Sequence, residues 1–119
     1  MEDKIKIMYV DDELINLQLF DINFSEMYDV FIVDNPLDAL KILDKEMDIS
    51  IVISDMKMPH INGIEFIKQA KEKFPDKKYC VLTGYEITDE IQEALNTGLI
   101  MKYFIKPYDL SIIDQILDL

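Results

Sequence analysis

The chain has 119 residues, of which 50% are apolar and 30% are charged. This length and composition predict one globular domain over residues 1–119 and exclude a disordered chain. The net charge of −12, with Lys as its sole cationic residue type, excludes direct binding to nucleic acid or to an anionic membrane and favours bound cations.

Five short apolar runs rich in β-branched residues predict five β-strands. They cover residues 5–10, 30–33, 49–53, 79–82 and 101–105. Because these runs are nearly continuous rather than alternating, they are typical of parallel strands covered on both faces. The intervening segments have helical spacing. The sequence therefore predicts an α/β fold of five βα units, a doubly wound (βα)5 domain with helices on both faces of a parallel sheet.

The predicted helices carry individual signals. Pro36 fits the first turn of the second helix, and Asp109 is predicted to cap the fifth. The first helix is richer in apolar residues than one core face needs. It has one stripe at Leu14, Leu17, Phe20 and Phe24, and a second at Ile15, Leu19 and Ile22. The second stripe either packs on the fifth helix or is exposed to a partner protein.

Polar side chains stand where the predicted strands end. Asp11 and Asp12 follow the first strand, Asp55 the third, Thr83 the fourth and Lys106 the fifth. Ligands of open parallel sheets bind beyond the carboxyl ends of the strands. We therefore expect these side chains to converge at one edge of the sheet.

The expected cluster combines like charges with phosphate-binding groups. Carboxylates at Asp11, Asp12 and Asp55 would repel one another unless a cation lies between them. Hard oxygen ligands favour Mg²⁺, with Mn²⁺ as a substitute, and Mg²⁺ commonly shares its site with a phosphoryl group. Asp55 is then the candidate nucleophile, which would form an aspartyl phosphate. Thr83 and Lys106 are candidate donors to the phosphoryl oxygens.

These motifs, in this order, resemble the receiver domain of bacterial two-component response regulators. The resemblance spans essentially the whole chain and rests on Asp11-Asp12, Asp55-Met56-Lys57-Met58-Pro59 with Gly63, Thr83-Gly84, and Lys106-Pro107. It implies a flavodoxin-like, CheY-like fold with strand order 2-1-3-4-5. It also implies a cytoplasmic signalling protein that takes a phosphoryl group onto Asp55 from a sensor histidine kinase or a histidine phosphotransfer protein.

The resemblance also implies a metal site. Mg²⁺ would bind Asp12, Asp55 and the backbone carbonyl of Lys57, and would reach Asp11 through water. The peptide bond between Lys106 and Pro107 is often cis in this family.

A conformational switch is implied as well. Phosphorylation would draw the Thr83 hydroxyl inward, and Tyr103 on strand five would turn into the vacated space. The surface of helix four, strand five and helix five would change, and an output domain or a second copy of the chain would bind there. Lys57 and Tyr85 stand at positions that modulate hydrolysis of the phosphoryl group in the family.

Two other functions stay open at this point. One is a receiver-like interaction module that takes no phosphate. The other is a phosphohydrolase with an aspartate nucleophile, which is disfavoured because Lys57 stands where such enzymes usually carry a second acid. We expect no turnover of a separate substrate, only self-phosphorylation and slow self-dephosphorylation.

The ends of the sequence bear on location. Its start is charged and mixed in sign, and it has no apolar run of the length of a membrane helix. We expect a cytoplasmic protein with no export signal. Since the last predicted helix reaches Leu119, the chain is either a stand-alone receiver or part of a longer protein.

Overall fold

A computed structural model describes residues 3–84 and 87–119. Strands and helices alternate along the chain as β1 Lys6–Val10, α1 Leu14–Phe24, β2 Asp29–Val33, α2 Pro36–Lys45, β3 Ile49–Asp55, α3 Gly63–Lys73, β4 Lys78–Thr83, α4 Asp89–Asn96, β5 Lys102–Ile105 and α5 Ile112–Leu117. The strands form a single parallel sheet in the order β2-β1-β3-β4-β5. The predicted fold class and strand order are confirmed.

Helices cover both faces of the sheet. Because side chains alternate along a strand, Ile7 and Tyr9 of β1 face one side, and Met8 and Val10 face the other. The first face packs against α1 and α5, and the second packs against α2, α3 and α4. Among the described residues, no helix combines the length and apolar character that crossing a bilayer requires.

The helix starts match the predictions in part. Pro36 begins α2, and the Asn35 side chain caps that helix by accepting from the Asp38 N–H. The prediction that Asp109 caps the last helix is wrong, because Ser111 is the N-cap and α5 begins at Ile112. Asp109 instead accepts from the Ser111 N–H at 2.8 Å. A short acidic side chain commonly closes a turn of this kind two residues along the chain.

The outer side of α1 is exposed. Leu17, Phe20 and Phe24 are buried as predicted, but Leu14 is 65% exposed. The second stripe does not pack on α5, since Leu19 is 50% exposed and its neighbours Ile15 and Ile22 more so. Tyr108, which precedes α5, contacts α1 instead: it packs on Phe20 and Phe24, and its hydroxyl accepts from the Asn23 side chain.

The start of α3 is held tightly against the end of β3. Asn62 and Glu65 form a reciprocal capping box, each side chain bonded to the other residue's backbone N–H. Gly63 donates its N–H to the Met56 carbonyl at 2.9 Å. A Cβ atom at Gly63 would overlap the backbone oxygen of Asp55. The absence of a side chain at Gly63 therefore lets the helix approach the residue that ends β3.

We predict that Gly63→Ala lowers the free energy of unfolding by about 1–3 kcal/mol, because backbone atoms must move to admit the methyl group. The higher helix propensity of Ala offsets part of this loss. Chemical denaturation measures the effect. Gly84→Ala is the control, since its Cβ would meet only the Lys106 Cδ, at 3.9 Å, and it should change stability by less than about 0.5 kcal/mol. Equal stability of the two variants would contradict the close approach.

Candidate functional site

The predicted site residues stand at the carboxyl ends of β1, β3, β4 and β5, and backbone hydrogen bonds hold two of them in place. Asp55 is the last residue of β3, and Thr83 is the last residue of β4. Asp11 follows β1 and donates its N–H to the Val33 carbonyl at 3.1 Å. Lys106 follows β5 and donates its N–H to the Thr83 carbonyl at 2.8 Å. These bonds continue the sheet by one residue and fix where each side chain begins.

The three predicted aspartates come together. Asp11, Asp12 and Asp55 each offer a carboxylate oxygen, and these oxygens lie within 4.8 Å of one another. Asp11 is fully buried and Asp55 is 7% exposed, whereas Asp12 faces solvent. A cleft of about 660 Å³ opens over them, lined in part by Asp12, Asp55, Lys57 and Lys106. A ligand can therefore approach Asp55 from the solvent side.

Lys106 supplies the positive charge of the cluster. Its Nζ lies 2.8 Å from Asp55 Oδ1 and 3.4 Å from Asp11 Oδ2. Burial lowers the pKa of Lys106, but the hydrogen bond to Asp55 and the charges of Asp55 and Asp11 outweigh it, so the pKa is raised. The side chain stays an ammonium at neutral pH.

The Asp55 carboxyl responds to opposing influences. Burial raises its pKa, the hydrogen bond from Lys106 lowers it, and the nearby charges of Asp11 and Asp12 raise it further. The net result is a raised pKa. Burial is therefore the main reason that the charged carboxylate is disfavoured, and the neighbouring carboxylates add to it.

Asp11 has two further partners that the sequence pattern did not reveal. The Tyr9 hydroxyl donates to Asp11 Oδ2 at 2.6 Å, and the Glu13 N–H donates to Asp11 Oδ1 at 3.0 Å. Burial and the hydrogen bond to Asp11 together raise the pKa of Tyr9. The sequence did contain one indication of the contact between Tyr9 and Asp11. The two residues are two positions apart, and residues at that spacing along a strand point to the same side.

The donor set fits a hard divalent cation. Each of the three side chains supplies carboxylate oxygen, the ligand that Mg²⁺ and Mn²⁺ prefer. Two of these groups are buried and one is exposed, so a cation would keep contact with water on the Asp12 side. Lys57, whose carbonyl is the fourth predicted ligand, lines the same cleft.

The predicted switch residues lie on the neighbouring strands β4 and β5. Thr83 is 2% exposed. Tyr103 on β5 pairs with Val81 of β4 and is half-buried against the core formed with α2, α3 and α4. The Lys106–Pro107 peptide is cis, as the resemblance implies. Tyr85 lies outside the described residues.

Comparison with known sequences identifies the family. Residues 7–118 match the family described as the response regulator receiver domain. The chain belongs to this family. Receiver domains are phosphoacceptor signalling switches rather than enzymes acting on a separate substrate, so the family assignment favours neither the phosphate-independent module nor the phosphohydrolase.

Individual relatives agree with this assignment. Sporulation initiation phosphotransferase F of Bacillus subtilis is 37% identical over 114 residues, which cover 95% of this receiver domain and 88% of the relative. The hydrogenase transcriptional regulatory protein HoxA of Bradyrhizobium diazoefficiens is 32% identical over 102 residues, or 86% of this chain, but the match spans only 21% of HoxA. The chemotaxis protein CheY4 of Vibrio cholerae shares the fold, with a TM-score of 0.84, 23% identity, and coverage of 97% of each chain.

We predict that Asp55→Asn stabilises the metal-free receiver domain at neutral pH, whereas a typical substitution destabilises by about 1 kcal/mol. The reason is the raised pKa of Asp55, which means that the folded state disfavours the charged carboxyl. The stability difference should shrink as the pH falls through the raised pKa towards the ordinary value of 3.8, because wild-type Asp55 then becomes neutral too. Urea unfolding in EDTA across this pH range measures it.

Asp109→Asn is the control with the opposite sign. The pKa of Asp109 is lowered because its carboxylate accepts from the Ser111 backbone N–H. This variant should gain no stability at neutral pH. A loss of stability in Asp55→Asn at pH 7 would contradict the electrostatic account of the cluster.

Proposed function

We propose that the receiver domain accepts a phosphoryl group on Asp55 in a reaction that depends on Mg²⁺. The observation that carries this proposal is the convergence of Asp55 with two further carboxylates and with the Lys106 ammonium, 2.8 Å away, at the floor of an open cleft. The donor would be a phosphohistidine on a sensor histidine kinase or on a histidine phosphotransfer protein. The domain would act on itself and turn over no separate substrate.

The chain's own residues supply positioning and charge. An Asp55 carboxylate oxygen forms the new bond to phosphorus, and the bond from phosphorus to the histidine nitrogen breaks, with the electron pair leaving on the imidazole. Lys106 then donates a charge-assisted hydrogen bond to a phosphoryl oxygen, since its Nζ already lies beside Asp55. Thr83 donates its hydroxyl to a second phosphoryl oxygen from the end of β4.

The cation site uses the same cluster. Asp12, Asp55 and the Lys57 backbone carbonyl would hold Mg²⁺, or Mn²⁺ in its place, with Asp11 contributing through water. When bound, the ion offsets the negative charge of the aspartates and of the incoming phosphoryl group. The need for this offset follows from three carboxylates converging here against the single ammonium of Lys106.

Signal output would depend on Thr83 and Tyr103. Inward movement of the Thr83 side chain leaves space beside β4, and the half-buried Tyr103 ring on the adjacent β5 turns into it. The surface of α4, β5 and α5 then changes. An output domain or a second copy of the chain would bind this surface. HoxA supports the first of these, because the match spans only 21% of its length and further segments adjoin its receiver-like part.

The phosphodonor protein would dock on α1. The exposed apolar face of α1 consists of Leu14, Ile15, Leu19 and Ile22, and it lies beside the open cleft, which Asn16 of the same helix lines. The relative named a phosphotransferase supports a phosphotransfer partner. The net charge of −12 argues against direct contact with nucleic acid or an anionic membrane. The domain extent of 1–119 and the cytoplasmic location stay predictions.

Incubation with acetyl phosphate and Mg²⁺ tests the reaction. We predict that intact-mass measurement finds one added phosphoryl group, because Asp55 lies at the floor of the open cleft. The adduct should be absent with EDTA and absent in Asp55→Asn. Asp109→Asn removes a carboxylate outside the site and should be modified like the wild type.

Rapid self-hydrolysis would hide the adduct, so a second measurement accompanies it. Beryllium fluoride with Mg²⁺ forms a stable mimic of the phosphoryl group, and its binding is followed by fluorine NMR. Binding to the wild type and not to Asp55→Asn is expected. If neither the adduct nor the mimic is found, the chain is a phosphate-independent interaction module.

The switch has its own test. We predict that beryllium fluoride with Mg²⁺ changes the ring resonances of Tyr103, because the ring moves when Thr83 is drawn inward. Thr83→Ala should bind the mimic but leave the Tyr103 resonances nearly unchanged. Tyr79, fully buried at the start of β4, is the internal reference. Equal changes at Tyr103 in both proteins would contradict the coupling.

A further inference from the structure

One buried hydroxyl in the acidic cluster has no role in the proposed phosphoryl transfer. Tyr9 lies on β1 two residues before Asp11, is 1% exposed, and donates to Asp11 Oδ2 at 2.6 Å. Both side chains project from the same side of the strand. The phenol is buried and therefore reaches Asp11 from within the protein.

The acceptor capacity of Asp11 is nearly filled. A carboxylate has about four acceptor positions, two on each oxygen. Oδ2 accepts from the Tyr9 hydroxyl and, at 3.4 Å, from the Lys106 ammonium, whereas Oδ1 accepts from the Glu13 N–H. The remaining position is on Oδ1. A cation, or water bound to a cation, can therefore use only this oxygen of Asp11.

The Tyr9 hydroxyl also competes with Lys106. Both donate to Asp11 Oδ2, and the phenol at 2.6 Å is much closer than the ammonium at 3.4 Å. Lys106 lies nearer to Asp55, at 2.8 Å. The phenol thus satisfies Asp11 with a neutral donor, and the ammonium stays beside the candidate phosphoacceptor.

The Tyr9 ring is held so that its hydroxyl keeps this position. It stacks on Phe20 of α1, with ring centroids 4.4 Å apart and planes 20° apart. Phe20 is fully buried and packs on Phe24 as well. The aromatic core under α1 therefore fixes the donor that orients Asp11.

We propose that Tyr9 is a positioning residue for the cation site, a role that rests on the proposed Mg²⁺-dependent function. Its hydroxyl occupies Oδ2 and so leaves Oδ1 as the Asp11 oxygen that is open to a cation or its water, and it keeps Asp11 from drawing Lys106 away from Asp55. Hydrogen-bond partners of this kind commonly change metal affinity by about 10–100-fold when they are removed.

Tyr9→Phe tests the role, because it removes the hydroxyl and retains the stacked ring. We expect Mg²⁺ to bind about 10-fold more weakly, as followed by NMR titration of backbone amides without any phosphodonor. The matched control is Tyr79→Phe. Tyr79 is equally buried, and its hydroxyl donates at 2.6 Å to the Phe74 carbonyl, outside the acidic cluster. This control should lose similar stability in urea but keep the wild-type Mg²⁺ affinity.

Repeating Tyr9→Phe in a chain that already carries Asp11→Ala distinguishes positioning of Asp11 from a general loss of structure. Without the Asp11 carboxylate, Tyr9→Phe should change Mg²⁺ affinity less than twofold. Unchanged Mg²⁺ affinity in Tyr9→Phe alone, or an equal loss in Tyr79→Phe, would overturn the role of Tyr9 and leave the proposed function intact. Failure of the wild type to bind Mg²⁺ would overturn both.

The proposal can also be tested on the wild type, so that the test does not depend on the folding of a variant. Mg²⁺ should shift the ring resonances of Tyr9 strongly and those of Tyr79 hardly at all, because only Tyr9 is bonded to the cluster. Equal shifts at the two rings would overturn the proposal.

Discussion

Three carboxylates are held within 4.8 Å of one another at one edge of the sheet, and their mutual repulsion conditions the chemistry of the site. The sheet itself enforces this proximity, because neighbouring parallel strands end side by side. Lys106 compensates part of the charge, yet the pKa of Asp55 remains raised. This charge would attract a divalent cation, and it would repel an incoming phosphoryl group unless such a cation were bound.

The surrounding structure holds the repelling groups in place. Backbone bonds extend the ladders by one residue at Asp11 and Lys106, and the close approach of Gly63 packs α3 against Asp55. Tyr9, stacked on Phe20, supports Asp11 from the core. Since Asp12 faces solvent whereas Asp11 is buried, a ligand can reach the cluster without disturbing the sheet.

Much of this arrangement could be predicted from sequence because it follows from the chain's order. Apolar runs locate parallel strands, and strand ends bring Asp55, Thr83 and Lys106 to one edge. The bond between Tyr9 and Asp11 was not predicted, since Tyr9 lies in an apolar run and its hydroxyl direction depends on packing against α1. The exposure of the outer stripe of α1 was left open by the sequence, because it depends on contacts distant in the chain, such as that of Tyr108 with Phe24. Local sequence alone also failed to locate the N-cap of α5, because the Asp109 side chain can close a turn as well as cap a helix.

The exposed apolar face of α1 has a consequence for the behaviour of the molecule in concentrated solution. Two copies that met through this face would gain hydrophobic contact, but each carries a net charge of −12. At physiological ionic strength the screening length is about 8 Å, and in 1 M salt it is about 3 Å. Colloidal repulsion between like-charged molecules therefore opposes self-association in dilute buffer and weakens steeply as salt is added. A partner protein with a basic surface would be attracted to this face, whereas a second copy of the chain is repelled from it.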